Sequence, residues 1–315
     1  MMLNRRHIRV KVMQTMYAFK GSESDDLSKD QKFLLFSIDN MYNLYLLLMS
    51  LLIEVQNRAE NDLQKKQNKH LATKEDKNPN RKFVNNQLLQ LLKENPQLKE
   101  QLEINKINNW ELDGEYIDVI FKEIMASNLY KDYMKTRVSD FKEDKDFIVD
   151  IFKEIIAPND KLYDYLEDKN LTWLDDLPTV NTTILKLLRK VKGTSPESHF
   201  TPKLYKDSED KQFAIDLFRK TLLNRSAINK EIGLKTKNWD ADRIASVDYV
   251  LLQMAICELK KFPSIPVKVT INEYLEISKE YSTPKSSIFI NGILDKLVKE
   301  YESTGELKKV GRGLM

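Results

Sequence analysis

The C-terminal third of the chain decides the fold. Residues 239–259 read WDADRIASVDYVLLQMAICEL, and residues 265–297 read IPVKVTINEYLEISKEYSTPKSSIFINGILDKL. Neither stretch shows the sustained alternation of apolar and polar residues that is typical of a half-buried strand. Pro263 and Pro266 separate the first stretch from the second, and Thr283-Pro284 is typical of a helix start. The two stretches therefore predict three helices, at about 240–261, 267–281 and 284–301.

The rest of the chain is also predicted to be helical. Its 315 residues include only 8 Gly and 9 Pro, which disfavours turn-rich β architectures. Near the N-terminus, apolar residues recur at helical spacing at Ile8, Val12, Met16 and Phe19. Further helices are predicted at about 28–59, 83–93, 113–136, 141–156 and 207–232. We therefore expect an all-α protein.

Composition excludes several classes of function. The chain contains neither a GxGxxG sequence nor a P-loop, so the usual nucleotide-dependent enzymes are not expected. Its 51 Lys and Arg against 48 Asp and Glu give a net charge of +3, so only the distribution of charge can point to a partner. The single cysteine, Cys257, suits a reducing cytoplasm, and the 3 histidines lack zinc-ligand spacing. We expect a cytoplasmic protein with no metal and no cofactor.

Two polar segments interrupt the helices. Residues 61–82 are predominantly basic and predict an exposed connection, with a basic RNA-contacting arm as the less favoured alternative. Residues 192–206 contain a glycine and two prolines and predict a second break. The most apolar run, residues 44–53, is too short to cross a bilayer and predicts a buried helix. No membrane partner is expected.

An internal repeat with an offset of 66 residues is visible. Phe147-x-x-Asp150 resembles Phe213-x-x-Asp216, and Trp173-x-x-Asp176 resembles Trp239-x-x-Asp242. The sequence has only 3 tryptophans, so two in one register favour duplication of a helical unit. The alternative is that amphipathic helices resemble one another.

The N-terminus carries the most polarised charge. Arg5, Arg6 and Arg9 precede the first acidic residue, Glu23, and their spacing brings three guanidinium groups to one neighbourhood of a helix. Guanidinium groups match the geometry of phosphate and also stack on bases. This pattern predicts a phosphate-binding surface. A solvated helix start without a partner is the alternative.

No set of residues predicts catalysis. The paired acids Asp25-Asp26 and Asp175-Asp176 lie in polar segments, and Cys257 lies among apolar residues that indicate burial. His7 has no neighbour that would position it as a base. The sequence therefore predicts a binding protein and no enzyme.

The two C-terminal stretches closely resemble the NusB family of bacterial transcription antitermination factors. The resemblance rests on Val247-Asp248 before a helix ending in Glu258-Leu259, on Ile271-Asn272-Glu273, and on the run 289–295, FINGILD. The N-terminal RRHIRVKVMQTMYAF also matches the family's Arg-rich opening helix with its Gln14-x-x-Tyr17 ending. The matches cover about residues 3–20 and 207–300.

The resemblance implies an all-α, NusB-like bundle of two packed helical subdomains. It also implies antitermination during ribosomal RNA transcription, within the transcription elongation complex, by binding boxA RNA together with NusE, a small-subunit ribosomal protein. Two residue sets are carried over on the resemblance alone. The RNA-binding residues would be Arg5, Arg6, Arg9, Lys285 and Phe289. The NusE-binding residues would be Tyr17 and Asp248.

The chain departs from the family pattern in three places. Gln253 stands where family members often have arginine, and Lys285 where they have an acidic residue. A long segment, 25–204, is inserted. We predict an Arg-rich core helix at 1–24, a helical insertion at 25–204 that is partly a copy of the core, a NusB-like core at 205–303 and a tail at 304–315.

Two alternative functions stay open. A helical adaptor could have kept the fold and a protein partner but lost RNA binding, with the insertion as its working surface. An RNA-modifying enzyme is the less favoured alternative. NusB-like domains occur fused to RNA methyltransferases, but this chain has no glycine-rich cofactor loop.

Overall fold

The structure is a computed structural model that describes residues 1–19, 26–236 and 244–310, apart from the side chain of Glu75. Over these residues the chain forms sixteen α-helices and no strand. The first eight are α1 (Arg5–Ala18), α2 (Leu27–Gln67), α3 (Lys74–Lys77), α4 (Gln87–Glu94), α5 (Pro96–Ile104), α6 (Asn109–Leu112), α7 (Gly114–Ala126) and α8 (Asn128–Tyr133). The other eight are α9 (Phe141–Ile151), α10 (Asp160–Lys169), α11 (Thr172–Lys190), α12 (Ser208–Leu223), α13 (Arg225–Lys235), α14 (Ser246–Lys261), α15 (Val267–Tyr281) and α16 (Ser286–Thr304). The all-α prediction is confirmed.

The chain divides into two compact units. Unit 1 comprises Leu3–Ile38 and Tyr205–Met315 with Met1, and unit 2 comprises Asp39–Leu204 with Met2. Helix α2 begins in unit 1 and continues into unit 2. The domain limits given above, with an insertion beginning at residue 25, stay a prediction.

Helix α14 is the centre of unit 1. It packs against α1, α12, α13, α15 and α16, and every residue from 250 to 259 is buried. Helix α1 packs its buried Ile8 and Val12 toward this core, in contact with α12, α14 and α15. The predicted apolar spacing of α1 therefore identifies its core face.

Polar caps fix where the helices of unit 1 begin. The Asn4 side chain accepts a hydrogen bond from the backbone N–H of His7 at 3.0 Å, and the Asp207 side chain accepts one from Asp210 at 3.1 Å. Each cap satisfies a backbone donor that the first helical turn would otherwise leave unpaired. The caps thereby place Arg5 in the first turn of α1 and Asp210 in the first turn of α12.

The most apolar part of the chain lies inside unit 2. Residues 44–53 of α2 are all buried, as predicted. Of the described helices, α2 is long and apolar enough to cross a membrane, but 78% of its most apolar window is buried within the protein. A core helix accounts for this pattern.

Three features of unit 2 differ from the predictions. Residues 61–67, predicted to be a connection, continue α2, because polar pairs one turn apart such as Lys66–Asp62 (2.7 Å) support a solvated helix end. Lys82 is buried and bonds to Glu143 at 2.6 Å, so the end of the basic segment is not exposed. Helices α3, α5, α6, α10 and α11 were not predicted.

The structure adds detail to the predicted repeat. Phe147 of α9 and Phe213 of α12 are both buried. Asp144 and Asp210, also 66 residues apart, are buried carboxylates in the first turns of these two helices. Trp173 is buried and donates from its indole N–H to the Asn40 carbonyl at 2.9 Å. Trp239 and Asp242 lie outside the described residues, so duplication stays a prediction.

Candidate nucleic-acid interface

The three predicted arginines line one cavity in unit 1. The cavity has a volume of about 500 Å³ and lies beside the start of α1. Arg5, Arg6 and Arg9 contribute to its wall together with Glu273 and the segment 264–266. The spacing of the arginines along α1 thus brings them to one neighbourhood, as the sequence predicted.

Arg5 and Arg6 are the partly exposed arginines of this cavity. Arg5 donates from Nε to Asp210 Oδ1 at 3.0 Å, and Arg6 donates two hydrogen bonds to the Glu273 carboxylate, both at 2.9 Å. About 40% of each arginine side chain remains exposed. Since a guanidinium group has five N–H donors, each arginine can pair with a carboxylate and still donate to a phosphate.

Arg9 has a different environment. Its guanidinium donates two hydrogen bonds to the Glu258 carboxylate, both at 2.8 Å, and its side chain is only 2% exposed. Glu258 is fully buried and also accepts hydrogen bonds from Thr270 Oγ1 at 2.8 Å and from the Tyr274 hydroxyl at 3.1 Å. In this arrangement Arg9 joins α1 to α14 and α15. Its role as an RNA contact stays a prediction, and the structure assigns it a structural partner.

Electrostatics keep these groups in fixed charge states. Burial lowers the pKa of Arg9, but the hydrogen bonds and charge of Glu258 outweigh burial, and the net result is a raised pKa. The hydrogen bond from Arg6 is the largest cause of the lowered pKa of Glu273. Burial, and then the charge of Arg6, lower the pKa of His7. At neutral pH these shifts favour the charged forms of Arg9 and Glu273 and the neutral form of His7.

Aromatic rings pack against the guanidinium groups of Arg5 and Arg9. The Arg5 and Arg9 guanidinium carbons each lie 5.1 Å from the centre of the Phe213 ring. Arg9 also lies 5.8 Å from the ring centre of Tyr274. Cation–π contacts of this kind hold a guanidinium plane in one orientation. The rings therefore hold the guanidinium groups of Arg5 and Arg9 in place.

Lys285 and Phe289 lie on another element, helix α16. Lys285 is exposed at its start, and Phe289, one turn further on, is half-buried. Neither is among the described residues that line the arginine cavity. The adjacent Ile290 and Ile293 are buried and form the core side of the helix. The Phe289 side chain is therefore partly packed against the core and partly accessible to solvent.

Gly292 is exposed on α16 and has no atom within 4 Å of the position of an added Cβ. A glycine inside a helix can permit the close approach of another helix, but no such approach occurs at Gly292 among the described residues. Because Lys285, Phe289 and Gly292 follow one another at intervals of one helical turn, no side chain covers the surface next to Phe289 at position 292.

The two predicted partner-binding residues differ in exposure. Tyr17 is 50% exposed and lies about 18 Å along α1 from Arg5. Asp248 is 4% exposed, and its Oδ2 accepts a hydrogen bond from the Ser286 hydroxyl at 2.7 Å. Asp248 therefore joins the first turn of α14 to the first turn of α16. As contacts with NusE, both residues stay predictions.

Two further residues of α14 are structural. Burial raises the pKa of the Cys257 thiol to about 11, so the thiol is protonated at neutral pH and is a poor nucleophile. Gln253, which stands where family members often have arginine, is buried and donates to Asn229 Oδ1 at 2.6 Å. An uncharged side chain therefore occupies this position with its own partner.

The acidic partners of the arginines were missed from the sequence. Asp210, Glu258 and Glu273 come from α12, α14 and α15, more than 200 residues from α1. A signal was present in the spacing of Thr270, Glu273 and Tyr274, which places three polar side chains on one face of α15. That face contacts the arginines.

Comparison with known proteins gives one consistent family. The NusB family model matches residues 194–299. The transcription antitermination protein NusB of Salinibacter ruber is 42% identical over 112 residues, which cover 36% of this chain and 70% of the relative. The NusB proteins of Geotalea uraniireducens (40% identical, 37% of this chain, 77% of the relative) and Chloroherpeton thalassium (38%, 41% and 59%) are also similar.

Among solved structures, T. maritima NusB is 31% identical to this chain. The match covers 39% of this chain and 87% of that protein, with a TM-score of 0.31.

Proposed function

This chain belongs to the NusB family of transcription antitermination proteins, and from that premise we propose that it binds boxA-type RNA together with NusE and promotes transcription of ribosomal RNA. The observation that supports RNA binding most strongly is the cavity lined by Arg5, Arg6 and Arg9. It presents two half-exposed guanidinium groups that are already held in place by carboxylates and a phenyl ring.

Arg5 and Arg6 are the phosphate-binding groups in this proposal. Each has free N–H donors beyond those it gives to Asp210 or Glu273, so a phosphate need not break either ion pair. Arg9 acts indirectly, because its pair with Glu258 fixes α1 against α14 and α15. Lys285 and Phe289 would extend the surface along α16, with Phe289 offering a ring on which a base can stack.

We expect the double substitution Arg5→Ala/Arg6→Ala to weaken boxA binding about tenfold and to reduce the salt slope by about 1.4, because two single-strand phosphate contacts are lost. Fluorescence anisotropy at several salt concentrations measures both quantities. Arg189→Ala/Lys190→Ala removes the same charge from an exposed helix end in unit 2 and serves as the control. An unchanged affinity with an unchanged slope would remove α1 from the RNA surface.

The adaptor alternative has one observation in its favour. Each of the three arginines already has an acidic partner within unit 1, so these charges are satisfied without RNA. The salt dependence described above separates the two functions, since an adaptor would show no slope that depends on Arg5 and Arg6.

The proposed NusE surface includes Tyr17 and the start of α14, where Asp248 lies. We expect Tyr17→Ala to weaken NusE binding about 30-fold, because an exposed tyrosine at the centre of an interface contributes about 2 kcal/mol. Isothermal titration calorimetry with purified NusE measures the effect. Tyr163→Ala, which removes an equally exposed tyrosine from unit 2, should leave the affinity unchanged. Equal affinities for wild type and Tyr17→Ala would place NusE elsewhere.

A further inference from the structure

Unit 2 contains a polar cavity of about 290 Å³ that the proposed function does not use. Its lining includes Gln56 of α2, Arg81 of the loop before α4, Lys93 of α4 and Lys99 of α5. All of these residues lie in the segment that the NusB family model does not match. The volume is close to that of a small-ligand pocket.

Gln56 gives this cavity an unused acceptor. The side chain is 3% exposed, and its Nε2 donates to the Val84 carbonyl at 2.7 Å. That bond fixes the orientation of the amide, because the reverse orientation would place two oxygens together. The Oε1 atom is buried and has no hydrogen-bond partner in the described part of the chain. Buried acceptors normally have a donor, so a group carrying an N–H or O–H is expected here.

Cations surround the same cavity. Lys93 and Lys99 are exposed, and Lys93 bonds only to a neutral partner among its described hydrogen bonds, Asn57 Oδ1 at 2.7 Å. Arg81 pairs with Glu60 at 2.7 Å through one nitrogen and retains other donors. The remaining acidic group of the lining is Glu94, which is exposed. The cavity is therefore positive on balance and suits an anion that also carries a donor.

Further exposed lysines follow Gln56 along the chain. Lys65 is exposed on α2, about 14 Å along the helix from Gln56, and Lys69 is exposed just after the helix ends. Lys74 and Lys77 are exposed on the short helix α3 that follows. Residues 56–99 carry ten Lys and Arg against five Asp and Glu, and this excess of positive charge suits a polyanion.

We propose that this cavity binds one nucleotide of a single-stranded RNA, with an N–H group of the base donating to Gln56 Oε1 and the phosphate pairing with Lys93 and Lys99. The inference rests on the proposed function in one respect, because that function identifies the polyanion as RNA. The inserted segment would then bind RNA outside the boxA sequence.

The test compares two RNAs on the full chain: boxA alone, and boxA with a long single-stranded extension. Lys93→Ala/Lys99→Ala should weaken binding of the extended RNA about tenfold and reduce its salt slope by about 1.4, while leaving binding of boxA alone unchanged. Lys161→Ala/Lys186→Ala, which removes two exposed lysines from α10 and α11, is the matched control. Equal affinities of wild type and Lys93→Ala/Lys99→Ala for the extended RNA would overturn the proposal.

The outcome is separable from that of the proposed function. If boxA alone does not bind, the proposed function fails. If boxA binds equally well to Arg5→Ala/Arg6→Ala, α1 is not part of the RNA surface. A loss of affinity for the extended RNA in Lys93→Ala/Lys99→Ala would still support nucleotide binding in the cavity. The reverse result, with boxA binding dependent on Arg5 and Arg6 but no effect of the lysines, would leave the proposed function intact and overturn this inference.

A spectroscopic readout tests the chemistry of the ligand. Nucleoside monophosphates and the extended RNA should both shift the side-chain amide resonances of Gln56 in a saturable way, whereas inorganic phosphate at the same concentration should not. Saturation by the monophosphate without any shift from the RNA would assign the cavity to a free nucleotide and overturn the RNA source. A shift with phosphate alone, or displacement of RNA by a polyglutamate peptide, would overturn the assignment of a nucleotide as the ligand.

Discussion

Replacing Arg9 with alanine is expected to lower the free energy of unfolding by about 3–5 kcal/mol, because it leaves a fully buried Glu258 carboxylate without its main partner. Thr270 and Tyr274 would still donate to that carboxylate, but neither carries a compensating charge. Urea unfolding followed by circular dichroism measures the loss. It should appear in the transition of unit 1, which contains both residues.

Arg5→Ala is the matched control for this prediction. Its ion pair with Asp210 is nearly half exposed on the arginine side, and such pairs contribute only about 0–1 kcal/mol. The double substitution Arg9→Met/Glu258→Leu should recover much of the stability, since apolar residues of similar volume can replace a buried pair. A loss below about 1 kcal/mol for Arg9→Ala would contradict the structural role and restore Arg9 as a candidate RNA contact.

The second large effect is expected at Phe289. Phe289→Ala should weaken boxA binding about 5- to 150-fold, which corresponds to the 1–3 kcal/mol of a base stacked on an aromatic ring. Its half-buried position on α16 leaves part of the ring accessible, and Lys285 is exposed one turn before it. Gel-shift titration gives the affinity, and thermal unfolding gives the stability of the same variant.

Ile293→Ala is the control on the same helix. Ile293 is buried, so its truncation should cost about 2–5 kcal/mol of stability. If Phe289→Ala instead behaves like Ile293→Ala, with a large loss of stability and no specific loss of RNA affinity, then Phe289 belongs to the core and the stacking proposal is wrong.

The sequence predicted those helices whose ends carry clear signals. Pro266 and Thr283-Pro284 mark the starts of α15 and α16, and both helices begin within two residues of the predicted positions. Helix α11 was missed, in part because Pro178 lies inside it, where a proline normally ends a helix. The end of α2 was missed because its last residues are polar on all sides and lack apolar spacing.

The candidate site was predictable only in part. The spacing of Arg5, Arg6 and Arg9 places them around one cavity, since helical geometry is local. The burial of Arg9 was not predictable, because it depends on an ion pair with Glu258, which lies 249 residues away on α14, and no local pattern identifies that partner. Gln56 was also missed. Its importance comes from an acceptor that has no partner, which is a property of three-dimensional packing.

The separation of Arg9 and Glu258 by 249 residues has a consequence for synthesis on the ribosome. At about 5–20 residues per second, Glu258 is added about 12–50 seconds after Arg9. During this delay the nascent α1 exposes its apolar face and an unneutralised cation, and all of unit 2 is translated before Glu258 is added. We therefore expect unit 2 to fold first and unit 1 to close last. Slow translation of the stretch before α14 would prolong that exposure and increase the demand for chaperones.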